Sequence, residues 1–262
     1  MRKFIVSRYE IESEKIGNGG VKIALLSDFH NNSYGIDENK LYEAIVGEKP
    51  DFVVVAGDMY TGEPAYDNSR ADKFLRRLAK DFTIYYGMGN HEHRIMVCPD
   101  VYPGMYEPFE KMIKETGIRL LQNETVEVEK NGTVFAIHGL MIDQKFYRKF
   151  TKWGFIDLYV KNQVGKPDLD KYNILIAHHP AFFEAYANWG ADLVLSGHLH
   201  GGMARLPYVG GVISPDYRLF PKYDKGRFDM GNSTMILSAG LGMHTINIRP
   251  FNPPELVIID LK

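Results

Sequence analysis

Seven apolar, β-branched runs are spaced along the chain, and each predicts a buried strand. They begin at Val21, Phe52, Phe82, Thr133, Asn173, Asp192 and Thr234. Nearly all of them end in a polar or glycine-rich turn. Segments with the apolar spacing of helices lie between several runs, at residues 38–48, 69–80, 106–115 and 181–188. This alternation predicts an α/β fold.

The composition indicates one folded domain. Of the 262 residues, 45% are hydrophobic and 24% are charged, which is enough apolar material for a large core. No Pro/Ser/Gly-rich or charged linker divides the chain, so we expect residues 1–262 to form a single domain.

Cellular location and partners are predicted from the terminus, the cysteine content and the charge. The N-terminal stretch has neither the apolar run of a signal peptide nor a membrane span. Because Cys98 is the single cysteine, the chain forms no intrachain disulfide. We therefore expect a cytoplasmic protein. A formal net charge of -2 provides no global positive field, so nucleic acid is not an expected partner.

Residues of metal-ligand type follow five of the runs. They are Asp28 and His30, Asp58, Asn90 and His91, His178, and His198 and His200. Ligands of open α/β sheets bind beyond the carboxyl ends of the strands, so we expect these residues to meet on neighbouring strands of one sheet. In extended backbone, Asp28 and His30 would project to the same side and share a metal. Each residue alone has an ordinary structural explanation, but their convergence favours a functional site.

The motifs resemble those of a known family, the calcineurin-like metallophosphoesterases. The ordered pattern D-x-H, G-D, G-N-H-E, H and G-H-x-H is complete from Asp28 to His200. Further matches resemble a bacterial branch of membrane-associated phosphodiesterases similar to UDP-2,3-diacylglucosamine hydrolases. They are GHLHGG from Gly197, ARLP from Ala204, LFPKYDKG from Leu219 and NPPEL from Asn252. The resemblance implies a four-layer αββα sandwich of two mixed β-sheets flanked by helices, with the site at one edge.

The resemblance also implies two divalent ions that share Asp58. One ion would be held by Asp28, His30, Asp58 and His200, and the other by Asp58, Asn90, His178 and His198. A carboxylate has two oxygens and a negative charge, so Asp58 can bridge two cations about 3.5–4 Å apart. Nitrogen and oxygen ligands without thiolate suit Mn, Fe, Zn or Co, and leave the identity of the metal open.

The expected chemistry is hydrolysis of a phosphoester. Two such ions would lower the pKa of a bridging water, present hydroxide in line with phosphorus and neutralise the developing charge. His91 matches the family position that faces substrate, and we expect it to be catalytic, as an imidazolium or as the acid for the leaving group. A hydrogen-bonding role behind the ligands is the alternative.

One departure from a sister branch is informative. Protein Ser/Thr phosphatases carry G-D-x-x-D-R-G, whereas Thr61 and Gly62 replace that Asp and Arg here. The missing arginine would have gripped phosphate, so its absence weakens the protein-phosphatase interpretation. It also leaves the residue that orients His91 unidentified.

Several other features keep two interpretations each. Arg94 either clamps a phosphate or forms a surface ion pair, and Asn31 either binds substrate or forms a turn. The basic and aromatic stretch 145–162 is either a lid over an amphipathic substrate or a connector that packs on the core. The remaining histidines are expected to be non-ligands: His93, His138, His179 and His244.

The leading hypothesis is therefore a phosphodiesterase that acts on a small or lipid-linked phosphodiester or pyrophosphate. A phosphomonoesterase or nuclease that uses the same metals is the alternative enzyme. A metal-binding interaction protein is the alternative outside catalysis. Any membrane contact would be peripheral, and the sequence does not indicate an oligomeric state.

Overall fold

Two six-stranded sheets form the centre of the fold. The computed structural model describes residues 3–147, 156–202, 204–206, 210–213, 219–242, 249 and 251–262. The strands of the first sheet are β1 (Ile5–Ile11), β2 (Val21–Leu26), β3 (Phe52–Ala56), β4 (Ile84–Gly87), β5 (Arg119–Leu121) and β14 (Glu255–Leu261). Those of the second are β6 (Glu124–Lys130), β7 (Thr133–Leu140), β8 (Tyr172–Ala177), β9 (Leu193–Ser196), β12 (Gly226–Met230) and β13 (Ser233–Leu237). A small hairpin pairs β10 (Ala204–Leu206) with β11 (Gly210–Ile213).

Both sheets are mixed. The first has the order β1-β14-β2-β3-β4-β5, with β2 to β5 parallel and β14 antiparallel to β2. The second has the order β12-β13-β9-β8-β7-β6, with the four inner strands parallel and both edge strands antiparallel to their neighbours. Within each sheet, the carboxyl ends of the central parallel strands therefore lie along one edge.

Helices cover the outer faces of the sheets. They are α1 (Asn39–Glu48), α2 (Ser69–Leu78), α3 (Asn90–Val97), α4 (Tyr106–Thr116), α5 (Ile156–Val164) and α6 (Phe183–Trp189). Among the described residues, none of them combines the length and apolarity needed to cross a bilayer.

Three buried clusters define the layers. Alternate residues of β2 point to opposite faces, so Ile23 joins the core between the sheets and Ala24 joins the core beneath α1, α2 and α4. A third cluster lies beneath α5 and α6, against residues such as Leu175 of β8. The layers thus follow the order helix, sheet, sheet, helix, and the predicted four-layer α/β fold is confirmed.

All seven predicted strands and all four predicted helices are present, with ends that differ by a few residues. The pattern missed edge strands such as β1 and β6. β6 is an edge strand, and one of its faces is exposed to water. Its sequence therefore alternates apolar and charged residues, with Val126 and Val128 as the apolar positions, rather than forming a continuous apolar run.

Candidate metal centre

The predicted ligands meet where strand ends of the two sheets face each other. Asp28, Asp58 and Asn90 follow β2, β3 and β4 of the first sheet. His178 follows β8, and His198 and His200 follow β9, in the second sheet. The expectation that all of them lie on neighbouring strands of one sheet was wrong. Both sheets place parallel strands side by side, and the runs alone do not show which strands share a sheet.

Short distances join the side chains. His178 Nε2 lies 3.0 Å from Asp58 Oδ2, and His200 Nε2 lies 3.5 Å from Asp28 Oδ1. His30 Nε2 lies 3.3 Å from His200 Nε2 and 3.9 Å from Asp58 Oδ2. Three groups of side chains are spaced to hold a metal ion: Asp28, His30 and His200; His30, Asp58 and His91; and Asp58, His178 and His198.

Left-handed backbone aims several of these side chains inward. The φ angles of Asp28 and His30 are 49° and 46°, and that of Asp58 is 55°. His198 and His200 have φ angles of 75° and 51°. The expectation that Asp28 and His30 converge through extended backbone was therefore wrong. Non-glycine residues in this region carry local strain, which clusters at functional sites.

The glycines of the motifs give the carboxylates room. A Cβ on Gly89 would lie 2.1 Å from Asp58 Oδ1, and one on Gly197 would lie 2.4 Å from Asp28 Oδ2. Any larger residue would collide with these carboxylates. The G-N-H-E and G-H-x-H motifs therefore supply space as well as ligands.

Hydrogen bonds to Nδ1 indicate different neutral tautomers for His178 and His91. The Nδ1 of His178 lies 2.6 Å from the Ala56 carbonyl, which can only accept, so Nδ1 carries a proton and the neutral ring presents an Nε2 lone pair to Asp58. The Gly62 N–H instead donates to Nδ1 of His91 over 2.7 Å, so the proton of His91 lies on Nε2. His178 is thus arranged as a ligand and His91 as a hydrogen-bond donor.

This bond also identifies a group that orients His91. It is a backbone N–H, which has no signature in the sequence. An imidazolium would carry a proton on Nδ1 facing the Gly62 N–H, so the geometry favours the neutral ring over the imidazolium expected from the family pattern.

Electrostatics favour a cation between the carboxylates. Burial and the neighbouring Asp58 raise the pKa of Asp28 to about 6, although His178 opposes the rise. Burial also acts against ionisation of Asp58, but neighbouring histidines, His178 first, outweigh it and hold the pKa of Asp58 well below its usual range. Burial would lower the pKa of His178, yet Asp58 raises it to about 9. In the metal-free state, a proton on His178 therefore takes the place of a cation beside Asp58.

One further donor atom fits a metal. Asn90 Oδ1 is buried without a hydrogen-bond partner among the described residues. An orphaned buried carbonyl oxygen is costly unless a ligand or cation completes it. Together with the carboxylates and the His178 lone pair, this oxygen makes a donor set that fits divalent ions.

Glu92 supports the centre in a way that the sequence did not reveal. Its fully buried carboxylate accepts hydrogen bonds from the N–H groups of Asp58, Tyr60 and Gly89 and from the Tyr86 hydroxyl, over 2.8–3.1 Å. It therefore ties the loop after β3 to the start of α3. Burial and Asp58 raise the pKa of Glu92 to about 7, while the hydrogen bonds oppose this rise. The Glu of the G-N-H-E motif is the signal for this role in the sequence.

A second supporting residue lies in the NPPEL stretch. The Asn252 side-chain amide donates to the carbonyls of His200 and Gly202, over 2.5 Å and 3.1 Å. It holds the loop after β9 in place.

The other candidates lie as follows. Asn31 bonds to the backbone of Asp67 and Ala71, which anchors the start of α2 and accounts for its polar groups. His93 bonds to the Ile142 carbonyl, and His138 bonds to side chains of the second sheet. His244 lies outside the described residues.

The stretch 145–162 is described in part, since residues 148–155 lie outside the described ranges. Phe146 and Val160 pack in the core beneath α5 and α6. The Tyr147 ring stacks on His179 and contacts the edge of His198, with centroids 5.1 Å and 4.9 Å apart. The described part thus has both core-packing residues and one residue beside the predicted ligands.

Comparisons with known proteins show what this chain is similar to. The family model described as calcineurin-like phosphoesterase matches residues 21–202. An uncharacterised metallophosphoesterase of Aquifex aeolicus is 30% identical over 98% of this chain and 91% of its own length. The phosphodiesterase YaeI of Escherichia coli is 25% identical over 98% of this chain and 88% of its own. The UDP-2,3-diacylglucosamine pyrophosphatase LpxG of Chlamydia muridarum is 22% identical over 92% of this chain and 83% of its own length.

Proposed function

The chain belongs to the calcineurin-like phosphoesterase family and is a metal-dependent phosphohydrolase, and on this premise we propose that it is a dinuclear phosphodiesterase. Its substrate would be a small or lipid-linked phosphodiester or pyrophosphate. The names of the relatives YaeI and LpxG support this bond class and a substrate that carries acyl chains.

The proposed ligands follow the grouping of the side chains. Asp28, His30 and His200 would hold one ion, His178, His198 and Asn90 the other, and Asp58 would contact both. A bound pair of divalent ions supplies an activated water nucleophile and offsets the charge of the phosphoryl group. The described residues supply the fixed positions: Glu92 holds the Asp58 loop and Asn252 holds the His200 loop.

His91 is the proposed catalytic residue, and the opposite ring forms of His178 and His91 are the observation that carries the proposal. Both Nε2 atoms lie within 4.0 Å of Asp58 Oδ2, but His178 in its neutral, metal-binding form would offer a lone pair there, whereas neutral His91 offers an N–H. A neutral N–H fixed beside the ions would donate a hydrogen bond to a phosphoryl or leaving-group oxygen as charge develops there.

A substrate panel tests the proposal. Protein reconstituted with Mn²⁺, Fe²⁺, Co²⁺ or Zn²⁺ is assayed against bis-p-nitrophenyl phosphate, p-nitrophenyl phosphate and single-stranded DNA, and its metal content is measured. We expect hydrolysis of the diester. His91→Ala should lower kcat by about 10²–10⁴-fold and retain metal, whereas Asn90→Ala should lose metal. His138→Gln, a buried histidine outside the centre, serves as the matched control.

Two outcomes contradict the proposal. If the monoester or DNA is cleaved and the diester is not, the phosphomonoesterase or nuclease alternative is correct. If no ester is cleaved with any of the four metals, the catalytic proposal is wrong and a metal-binding interaction protein becomes the better explanation.

A further inference from the structure

Arg94 lies on the same helix as Asn90 and His91 and has no anionic partner in the part of the chain that the structure describes. Residues three and four apart on a helix share a face, so α3 presents Arg94 beside both of them. No carboxylate among the described residues lies within 4.0 Å of its guanidinium. The surface ion pair that the sequence left open is therefore not formed with any described residue.

Part of this guanidinium is already removed from water. Arg94 Nε is buried and has no hydrogen-bond acceptor among the described residues. A buried donor without an acceptor costs free energy, and more when the group is charged. Such an atom indicates an acceptor that the described residues do not supply, such as an oxygen of a bound substrate.

The contact with Gly62 places this atom at the catalytic histidine. A Cβ on Gly62 would lie 3.5 Å from Arg94 Nε and 3.0 Å from the carbonyl oxygen of His91. Gly62 is also the residue whose N–H fixes the ring of His91. Arg94 thus packs against position 62, where the protein Ser/Thr phosphatases carry an arginine of their own.

We propose that Arg94 is an oxyanion-binding residue that holds a phosphoryl oxygen, or a second phosphate, of the substrate beside His91. The inference rests on the proposed function, because it places a phosphate at the ions. A guanidinium offers several N–H groups in a plane that matches two phosphate oxygens, which an ammonium does not. Because Gly62 has no side chain, there is room beside it for the guanidinium of Arg94, which α3 carries.

Phosphate binding tests the inference without turnover. Isothermal titration calorimetry with inorganic phosphate is run on the metal-reconstituted wild type, Arg94→Gln and Arg94→Lys, with the metal content of each measured. We expect Arg94→Gln to raise the Kd for phosphate about 10–100-fold, the range of a charge-assisted hydrogen bond, at unchanged metal content. The Kd for Arg94→Lys should lie between those of the wild type and Arg94→Gln. Arg76→Gln is the matched control, since Arg76 pairs with Asp72 and Glu115 on the surface.

The result can separate this inference from the proposed reaction. A Kd for Arg94→Gln within twofold of wild type, or no phosphate binding by wild type, overturns the role of Arg94. If wild type cleaves no ester while Arg94→Gln still weakens phosphate binding, the reaction is wrong and the Arg94 site stands. In an active enzyme, Arg94→Gln should also raise KM for the diester by a similar factor.

Discussion

Replacing Glu92 by glutamine should destabilise the protein and weaken the metal centre together. Four donors converge on this carboxylate, two on each oxygen: Tyr60 N–H and the Tyr86 hydroxyl on Oε1, and Asp58 N–H and Gly89 N–H on Oε2. A glutamine presents an NH₂ in place of one oxygen, so at least one pair of donors loses its acceptor.

The magnitude follows from these four bonds. A hydrogen bond to a charged group contributes about 1.5–3 kcal/mol, so losing two costs about 3–6 kcal/mol. Removing a buried charge offsets part of that cost. We expect Glu92→Gln to lower the free energy of unfolding by about 2–5 kcal/mol, out of about 5–15 kcal/mol for a typical protein. Because Asp58 loses its anchor, metal affinity should also fall about 10–100-fold.

Urea denaturation with and without Mn²⁺ measures the first effect, and metal titration measures the second. Glu43→Gln, an exposed glutamate on α1, is the control and should change the free energy of unfolding by less than about 0.5 kcal/mol. A loss below about 1 kcal/mol for Glu92→Gln, with normal metal affinity, would refute the role assigned to Glu92.

Two further predictions concern close packing and pH. Gly57→Ala should abolish metal binding or folding, because its Cβ would lie 2.5 Å from the Gly89 backbone and 2.8 Å from His178 Nδ1; metal content and circular dichroism measure this. Burial lowers the pKa of His138 below 6.5, although its bond to Asn173 opposes the shift. Below pH 6.5 the unfolded state then takes up a proton that the folded state excludes, so wild type loses stability as pH falls. His138→Gln does not titrate, and its Tm relative to wild type should rise from pH 7 to pH 5.

Each of these predictions has a contrary result. A Gly57→Ala protein that folds and binds metal normally would show that the loop can move to accept a Cβ. A Tm difference for His138→Gln that stays constant with pH would show that His138 does not contribute to acid destabilisation.

The sequence predicted the strands well because a buried strand depends on residue identity. A buried parallel strand such as β3 is a continuous apolar run, and a polar residue after it is visible directly. The division of strands between two sheets was not predictable from these runs, since β3 and β8 have the same pattern and belong to different sheets.

Backbone conformation and backbone donors account for most of the rest. The left-handed angles of Asp28 and His30 replaced the extended geometry expected from their spacing. The Gly62 N–H that orients His91 belongs to a group that every residue except proline carries. Glu92 was visible in its motif, but two of its four donors, Asp58 and Tyr60, come from a distant stretch that only the fold brings to it.

The origin of the centre in two sheets has a consequence for how the protein acquires its ions. During synthesis, residues 21–97 emerge early and carry Asp28, His30, Asp58 and Asn90, which are four of the seven proposed ligands. If the proposed ligands hold the ions, firm capture would wait until His178, His198 and His200 have left the ribosome and β8 and β9 have docked. Loading with metal would thus mark a chain that has finished folding, and two fragments divided between β7 and β8 should associate more tightly when the ions are present.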